Sequence, residues 1–212
     1  MKKTKTLITV LCAVLLITAS VLGTLAYLTS QDKVENTFTV GKVKIELDEA
    51  KVKLDGSIDG TDRVKQNTYH LVPGQTYVKD PTMTVKANSE DSYVRMLLVI
   101  NCANAFDEIY APARADLTTI FNGYDDNNWV YESVTRTNDT LIYEFRYKEI
   151  VTKSENDTVL DALFDSITIP GSFDSDDMAS IEDLEIKVFG HAIQATGFAD
   201  ADAAWDAFNA QV

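Results

Sequence analysis

The stretch SYVRMLLVINC, residues 92–102, most limits what this chain can fold into. It is apolar almost throughout, which predicts a long strand at the centre of a sheet. Segments with strand patterns precede and follow it, separated by turns rich in glycine, proline, asparagine and aspartate. Strands do not alternate with long helices along the chain, so a parallel sheet with crossover helices is not expected.

The pattern predicts roughly eight strands and a few short helices. Residues 55–63 read as a glycine- and aspartate-rich loop, 112–123 and a segment near 155–165 as short helices, and 199–212 as an alanine-rich final helix. The main strand predictions are 38–54 with a bulge or kink at Gly41, 76–88 after a Pro73-Gly74 turn, 92–102, two strands around the Thr137-Asn138-Asp139 turn, one before the Pro170-Gly171 turn, and 184–198 with a bulge at Gly190.

This spacing fits an all-β fold. We predict an antiparallel two-sheet sandwich, of jelly-roll or immunoglobulin-like type, with short helical insertions and a short C-terminal helix. There is no internal repeat at a fixed period and no low-complexity linker, so one domain is expected after the N-terminal region.

The N-terminus has the pattern of a secretory signal. Three lysines precede an apolar run over residues 7–22, and small residues follow it. Thr24 and Ala26 occupy the −3 and −1 positions of a cut that would leave Tyr27 as the first residue. The predicted organisation is a signal peptide over 1–26, an N-terminal segment over 27–40 and a β domain over 41–212. A retained membrane anchor is the alternative.

The charge of the chain points away from nucleic acid. Thirty-three acidic and 19 basic residues give a formal net charge of −14, and loss of the three signal lysines would make it −17. Such a surface repels nucleic acid and anionic membranes, so contact with a membrane is expected only before cleavage. The simplest interpretation is solubility outside the cell.

Patterns that carry chemistry are sparse. His70 and His191 are far apart in sequence, neither lies in an HExxH pattern, and both are expected to be ordinary strand or surface residues. Cys102, the one cysteine outside the apolar N-terminal run, is expected to be a small buried side chain. Trp129 and Trp205 are predicted to pack in the core or dock a helix. We therefore predict no catalytic residues and no cofactor.

Acidic residues cluster in three segments, none of which has the spacing of an EF-hand. Solvated loops are expected, and weak calcium binding is the alternative left open. These residues are Asp55, Asp59 and Asp62; Asp125 and Asp126; and Asp174, Asp176 and Asp177.

The segment GTLAYLTSQDKVENTFTVGKVKIEL resembles the N-terminal signature of the TasA/camelysin family of secreted bacterial proteins. Weaker resemblances follow in the same order, in LVPGQTYVKDPTMTVKANSEDSYVRM and in FGHAIQATGF before Trp205. The signature positions are Gly23, Thr24, Ala26, Tyr27, Asn36, Phe38, Gly41 and Val43.

The resemblance implies a jelly-roll fold, export through a dedicated signal peptidase of the SipW type, and fibres of an extracellular or biofilm matrix. In such fibres the N-terminal segment of one subunit adds as a strand to its neighbour. Camelysin also carries a metallopeptidase label, but no zinc-binding triad is visible in this sequence.

Open sheet edges make strand addition physically reasonable, because they present unpaired N–H and C=O groups. The predicted partners are other copies of this chain, the signal peptidase and other matrix components. A secreted metallopeptidase and a monomeric cell-surface binding module are the alternatives. The assembly residues predicted in the donor segment are Tyr27, Leu28, Val34, Phe38 and Val40.

Overall fold

The computed structural model describes residues 42–105 and 121–210, and every structural statement below concerns these residues. They form antiparallel sheets with short helices, which confirms the predicted mostly-β composition. The strands are β1 (Ile45–Val52), β2 (Ile58–Val64), β3 (Thr76–Val78), β4 (Thr82–Val85), β5 (Ser92–Ile100), β6 (Phe121–Asn122), β7 (Trp129–Thr137), β8 (Thr140–Tyr147), β9 (Thr158–Val159), β10 (Ser166–Thr168) and β11 (Ile186–Gln194). The helices are α1 (Ser175–Ser180) and α2 (Ala201–Asn209).

The strands form three sheets. One has the order β2-β1-β4-β9, a small second one has the order β3-β10-β6, and the third has the order β11-β5-β8-β7. As predicted, the apolar segment after Asp91 lies inside a sheet, because β5 pairs with β11 on one side and β8 on the other.

One hydrophobic core joins all three sheets. Met83 and Val85 of β4 belong to the same buried cluster as residues of β5, β8, β6 and β10. Trp129 is fully buried in this cluster, and its indole N–H donates to the Asp161 carbonyl at 3.0 Å. The largest apolar side chains therefore hold the sheets together, as the strand pattern of β5 indicated. The largest fully buried side chains of β5 and β8 are Met96, Leu98, Ile100, Tyr143 and Phe145.

The β7–β8 hairpin and the final helix confirm two sequence predictions. Asn138 in the hairpin turn has a φ of 53°, a left-handed conformation that asparagine adopts more readily than most residues. Helix α2 begins after Asp200, whose carboxylate accepts from the Ala203 N–H at 2.9 Å, and it buries Trp205 and Ala204.

Four sequence predictions differ from the structure. The predicted loop 55–63 contains most of strand β2, whose largely exposed side chains give no apolar alternation for the sequence to reveal. The segment 155–165 contains the short strand β9 and no helix. β11 passes through Gly190 in unbroken register, so no bulge lies there. Most of the predicted helix 112–123 lies outside the described residues, but its end is strand β6.

Candidate functional site

Strand β1 changes partner halfway along its length. Residues 45–48 pair with β4, whereas residues 49–52 pair with β2 on the opposite side. On the β2 side, the first half of β1 has no strand partner within 42–105 and 121–210. Arg63 of β2 closes the end of this unpaired stretch, because it donates to Asp48 Oδ1 at 2.5 Å and to the Asp48 carbonyl at 3.3 Å.

Strand β11 has a longer unpaired edge. In the part of the chain that the structure describes, it pairs only with β5. The Asn101 N–H donates to the Glu185 carbonyl, and the Ala195 N–H donates to the Asp91 carbonyl. Because hydrogen-bonded pairs alternate along an antiparallel ladder, the odd-numbered residues of β11 bond β5. The outward backbone groups belong to Ile186, Val188, Gly190, Ala192 and Gln194.

A groove of about 1100 Å³ lies between these two edges. Residues 47–49 of β1 line one wall, and residues 186–189 of β11 line the other. The floor is apolar and combines partly buried side chains of the main core with a smaller cluster around Tyr77. The apolar floor residues include Leu47, Ile167, Ile169, Ile181, Leu184 and Val188.

The groove ends at Gly190, where the sheets approach each other closely. A Cβ atom on Gly190 would lie 2.5 Å from Met83 Cε and 3.6 Å from Ile45 Cδ1. The absence of a side chain therefore leaves room for Met83, which explains this glycine without a bulge. From Gly190 toward the start of β11, residues 186–189 line the groove.

A buried ion pair forms the polar part of one wall. Lys79 Nζ lies 2.7 Å from Glu49 Oε2, and both side chains are about nine-tenths buried. Asn67 Nδ2 donates to Glu49 Oε1 at 3.1 Å and to the Ala50 carbonyl at 2.8 Å. Burial, and next the charge of Glu49, raise the pKa of Tyr69 above its usual value. Both oxygens of Glu49 therefore have a partner, so the pair costs less than an isolated buried charge would.

The residues predicted for cleavage and assembly lie outside the described residues. This applies to Thr24 and Ala26 and to the donor segment 27–40, so their roles stay predictions. The predicted bulge or kink at Gly41 also lies there. The groove was not predicted from the sequence, and its only sequence signal is the pair Glu49 and Lys79, two charged residues in or beside strands.

The two histidines are not brought together with acidic groups into a metal site. No group of three histidine, cysteine or acidic residues suited to a metal occurs within 42–105 and 121–210. His191 lies on the edge strand β11, where a strand histidine was expected, and its Nδ1 accepts from Arg95 Nε at 3.2 Å. His70 is exposed, and its backbone carbonyl accepts from the Tyr77 hydroxyl at 2.8 Å.

The acidic clusters have local structural partners. Asp174 caps α1, and its carboxylate accepts from the N–H groups of Asp176 and Asp177. Asp55 accepts from Ser57 within its turn, and these bonds lower its pKa. Other members act similarly: Asp59 pairs with Lys51, and Asp125 accepts from Asn127 and Asn128.

Cys102 and the two tryptophans are structural side chains. Cys102 is partly buried, and burial raises the pKa of its thiol. It also has a φ of 55°, unusual for a residue other than glycine or asparagine. Trp129 and Trp205 are both buried as predicted, Trp129 in the core and Trp205 on the docked face of helix α2.

Comparisons of the chain with protein-family models, with curated proteins and with solved structures found no match. Among the described residues, no helix has the length and apolar character needed to cross a membrane.

Proposed function

We propose that this is a secreted, non-enzymatic structural protein of the extracellular or biofilm matrix. Each chain would donate residues 27–40 as a strand to the groove of the next, so that the chains assemble into fibres. The observation that carries the proposal is the apolar groove flanked by the unpaired edges of β1 and β11. An added strand would satisfy those backbone groups and cover the apolar floor in one step.

The donor segment has enough length for this edge. A strand extends by about 3.3 Å per residue, so 14 residues reach about 45 Å, whereas nine-residue β11 spans about 30 Å. The remaining residues can cross between subunits. Apolar contacts along the segment would come from Tyr27, Leu28, Val34 and Val40. Near the domain, Phe38 is the largest side chain of the segment that the groove could bury.

The residues just before β1 show where the donor segment would leave the domain. Lys42 and Lys44 precede β1 and are tied to the β4–β5 turn, because Glu90 N–H donates to the Lys42 carbonyl and Lys86 N–H to the Lys44 carbonyl. The groove instead adjoins residues 47–49, farther along β1. A segment that leaves one copy and binds the groove of the next makes a heterologous contact, which propagates as a filament when it does not close.

Cleavage after Ala26 would then be a switch for assembly. Before the cut, the apolar run over 7–22 tethers the donor to the membrane; after it, residue 27 becomes a free end. A dedicated signal peptidase and other matrix components complete the proposed partners. In this proposal the antiparallel sheets form a two-sheet sandwich of jelly-roll type that presents the acceptor groove.

Electron microscopy of two purified chains tests the proposal. A chain that begins at Tyr27 should form fibres, and a matched chain that begins at Gly41 should stay monomeric at the same concentration. Adding a synthetic 27–40 peptide to the shorter chain should raise its melting temperature. Fibres from the shorter chain, or none from the longer chain across a wide range of concentration and pH, would refute the proposal.

The donor could instead fill the groove of its own chain. Mixing distinguishes the two arrangements: a chain with a blocked groove but an intact donor should cap fibres of the unmodified chain. Phe38→Asp adds a second readout, because burial of an aromatic side chain contributes about 1.5–3 kcal/mol. In the chain that begins at Tyr27, we expect this variant to lose fibres while the melting temperature of its monomer stays unchanged; a lower melting temperature of the monomer would place Phe38 in its own core.

A further inference from the structure

The C-terminal helix is fastened to the outer face of the sheet by one buried guanidinium. Arg95 of β5 is only 3% exposed, and it lies under α2, 4.4 Å from the centroid of the Trp205 ring. Its Nη2 donates to Asn209 Oδ1 at 2.7 Å, and its Nε donates to His191 Nδ1 at 3.2 Å. The Phe208 ring covers His191 at 4.8 Å. Arg95 thus links β5, β11 and α2.

The guanidiniums in this cluster are already paired with carboxylates. Glu144 of β8 lies 3.5 Å from Arg95 and 2.8 Å from Arg146, and Asp202 of α2 lies 2.5 Å from Arg146. Glu132 of β7 also acts on Arg146 through its charge, so two guanidiniums face three carboxylates. The other neighbour of β11, strand β1, packs near Gly190 on the opposite face, and Asp206 of α2 is exposed.

Protonation of His191 would disturb this arrangement in two ways. A guanidinium can only donate hydrogen bonds, so Nδ1 must carry a lone pair to accept from Arg95. Imidazolium has no such lone pair, and protonation breaks that bond. It also adds a positive charge directly beside the Arg95 guanidinium. The Phe208 ring gives little compensation, because the Arg95 guanidinium already faces it at 5.1 Å.

We propose that the Arg95–His191 contact is an acid-sensitive clasp, which holds α2 against β11 at neutral pH and releases the helix when His191 becomes protonated. The clasp stands independently of fibre assembly. Release would expose Trp205 and the outer face of β5 and β11 without unfolding the core between the sheets.

The direction of the pH effect follows from the same contacts. Burial, and then the charge of Arg95, lower the pKa of His191 below its usual value, while Glu144 partly opposes them. The released helix leaves a histidine with an ordinary pKa of about 6.5. Docking is therefore fully favoured above that value and weakens as the pH falls from about 6.5 toward the lower pKa of the docked state.

Amide hydrogen exchange measured by mass spectrometry tests the clasp. Exchange of residues 201–209 is compared at about pH 7.5 and about pH 5.5, after correction for intrinsic rates, with residues 141–147 of β8 as the internal reference. We expect loss of protection in the helix alone, by up to about tenfold for each unit that docking lowers the His191 pKa. Equal protection of the helix at both pH values would overturn the proposal.

His191→Gln tests whether protonation of His191, and not of a nearby carboxylate, causes the loss of protection at low pH. Its side-chain oxygen can accept from Arg95 but does not titrate, so α2 should stay protected at both pH values. His70→Gln is the matched control and should leave the acid response unchanged. Should His191→Gln fold poorly, NMR of the His70→Gln protein gives a single histidine signal. Its midpoint should coincide with the change in the Trp205 indole signal, and separate midpoints would contradict the clasp.

Discussion

The sheet with the order β11-β5-β8-β7 has two edge strands, β7 and β11, that are built differently. β7 has a bulge between Tyr131 and Ser133, where the extra residue Glu132 lies, and it exposes mainly polar side chains. β11 runs for nine residues in unbroken register and faces an apolar groove. Bulges and exposed charges are the usual devices that keep an edge from pairing with another chain. One edge is thus protected, and the other lacks that protection where an added strand would bury apolar surface.

A pair of proline substitutions should test the difference between the β7 and β11 edges most directly. Val188 of β11 and Val134 of β7 are both half-buried valines that pack against the core. The backbone N–H group of each valine points away from the neighbouring strand. For Val188 this follows from the hydrogen-bond alternation between β11 and β5. For Val134 it follows because Thr137 and Thr140 form the hydrogen-bonded pair beside the hairpin turn. Val188→Pro removes a donor that an added strand needs, so we expect fibres to disappear on electron microscopy.

Val134→Pro is the matched control for this experiment. Proline is tolerated on edge strands when it leaves the existing ladder intact, so both variants should lose similar, small amounts of thermal stability. Val134→Pro should nevertheless assemble like the unmodified protein. Equal assembly of the two variants would mean that the β11 edge is not the acceptor.

Two lysine–glutamate pairs that line the groove should show the next largest difference, which is in their contribution to stability. Lys79 Nζ lies 2.7 Å from Glu49 and is buried, whereas Lys187 Nζ lies 2.6 Å from Glu185 and both are more than half exposed. Lys79→Met leaves a buried carboxylate without its cation, and we expect the free energy of unfolding in urea to fall by about 3 kcal/mol. Lys187→Met should change it little, since water screens an exposed pair.

A double variant checks the cause. Glu49→Gln combined with Lys79→Met removes both charges and keeps an acceptor for the Asn67 amide, so most of the lost stability should return. No recovery would show that packing of the Lys79 chain, and not the unpaired charge, dominates the loss.

Local patterns predicted the parts of this fold that depend on local interactions. The apolar run of β5, the Asn138 turn and the alanine-rich α2 all carry their signals within a few residues, and all three are confirmed. The sequence predicts a loop where β2 lies, because an exposed edge strand buries almost nothing and shows no apolar period.

The groove between β1 and β11 depends on contacts between distant residues. β1 leaves β4 near Glu49, and the freed backbone is bonded instead by side chains from elsewhere: the Ala50 N–H donates to Asp80 at 2.6 Å, and the Val52 N–H donates to Asn67 at 3.0 Å. Sequence spacing could not place those side chains beside β1. The contacts of Arg95 are similar, since its partners come from three other elements, β8, β11 and α2, that meet only in the folded chain.

The smallest expected effect comes from making β7 resemble β11. Tyr131 pairs with Phe145 and Ser133 with Glu144, so Glu132 alone is left out of the ladder. Deletion of Glu132 therefore joins two pairings that already exist and keeps Tyr131 and Val134 facing the core. We expect a flatter edge that self-associates weakly, in the range of about 1 mM. Sedimentation velocity in the Val188→Pro background would detect this without interference from fibres.

Two further variants assign the effect to the bulge or to the charge. Glu132→Ala keeps the extra residue and removes only the carboxylate, so it should stay monomeric if the bulge is what protects the edge. Val134→Pro added to the Glu132 deletion should abolish the new association, because it removes an outward N–H from the straightened strand. Association of Glu132→Ala as strong as that of the deletion would show that charge, not the bulge, keeps β7 from pairing.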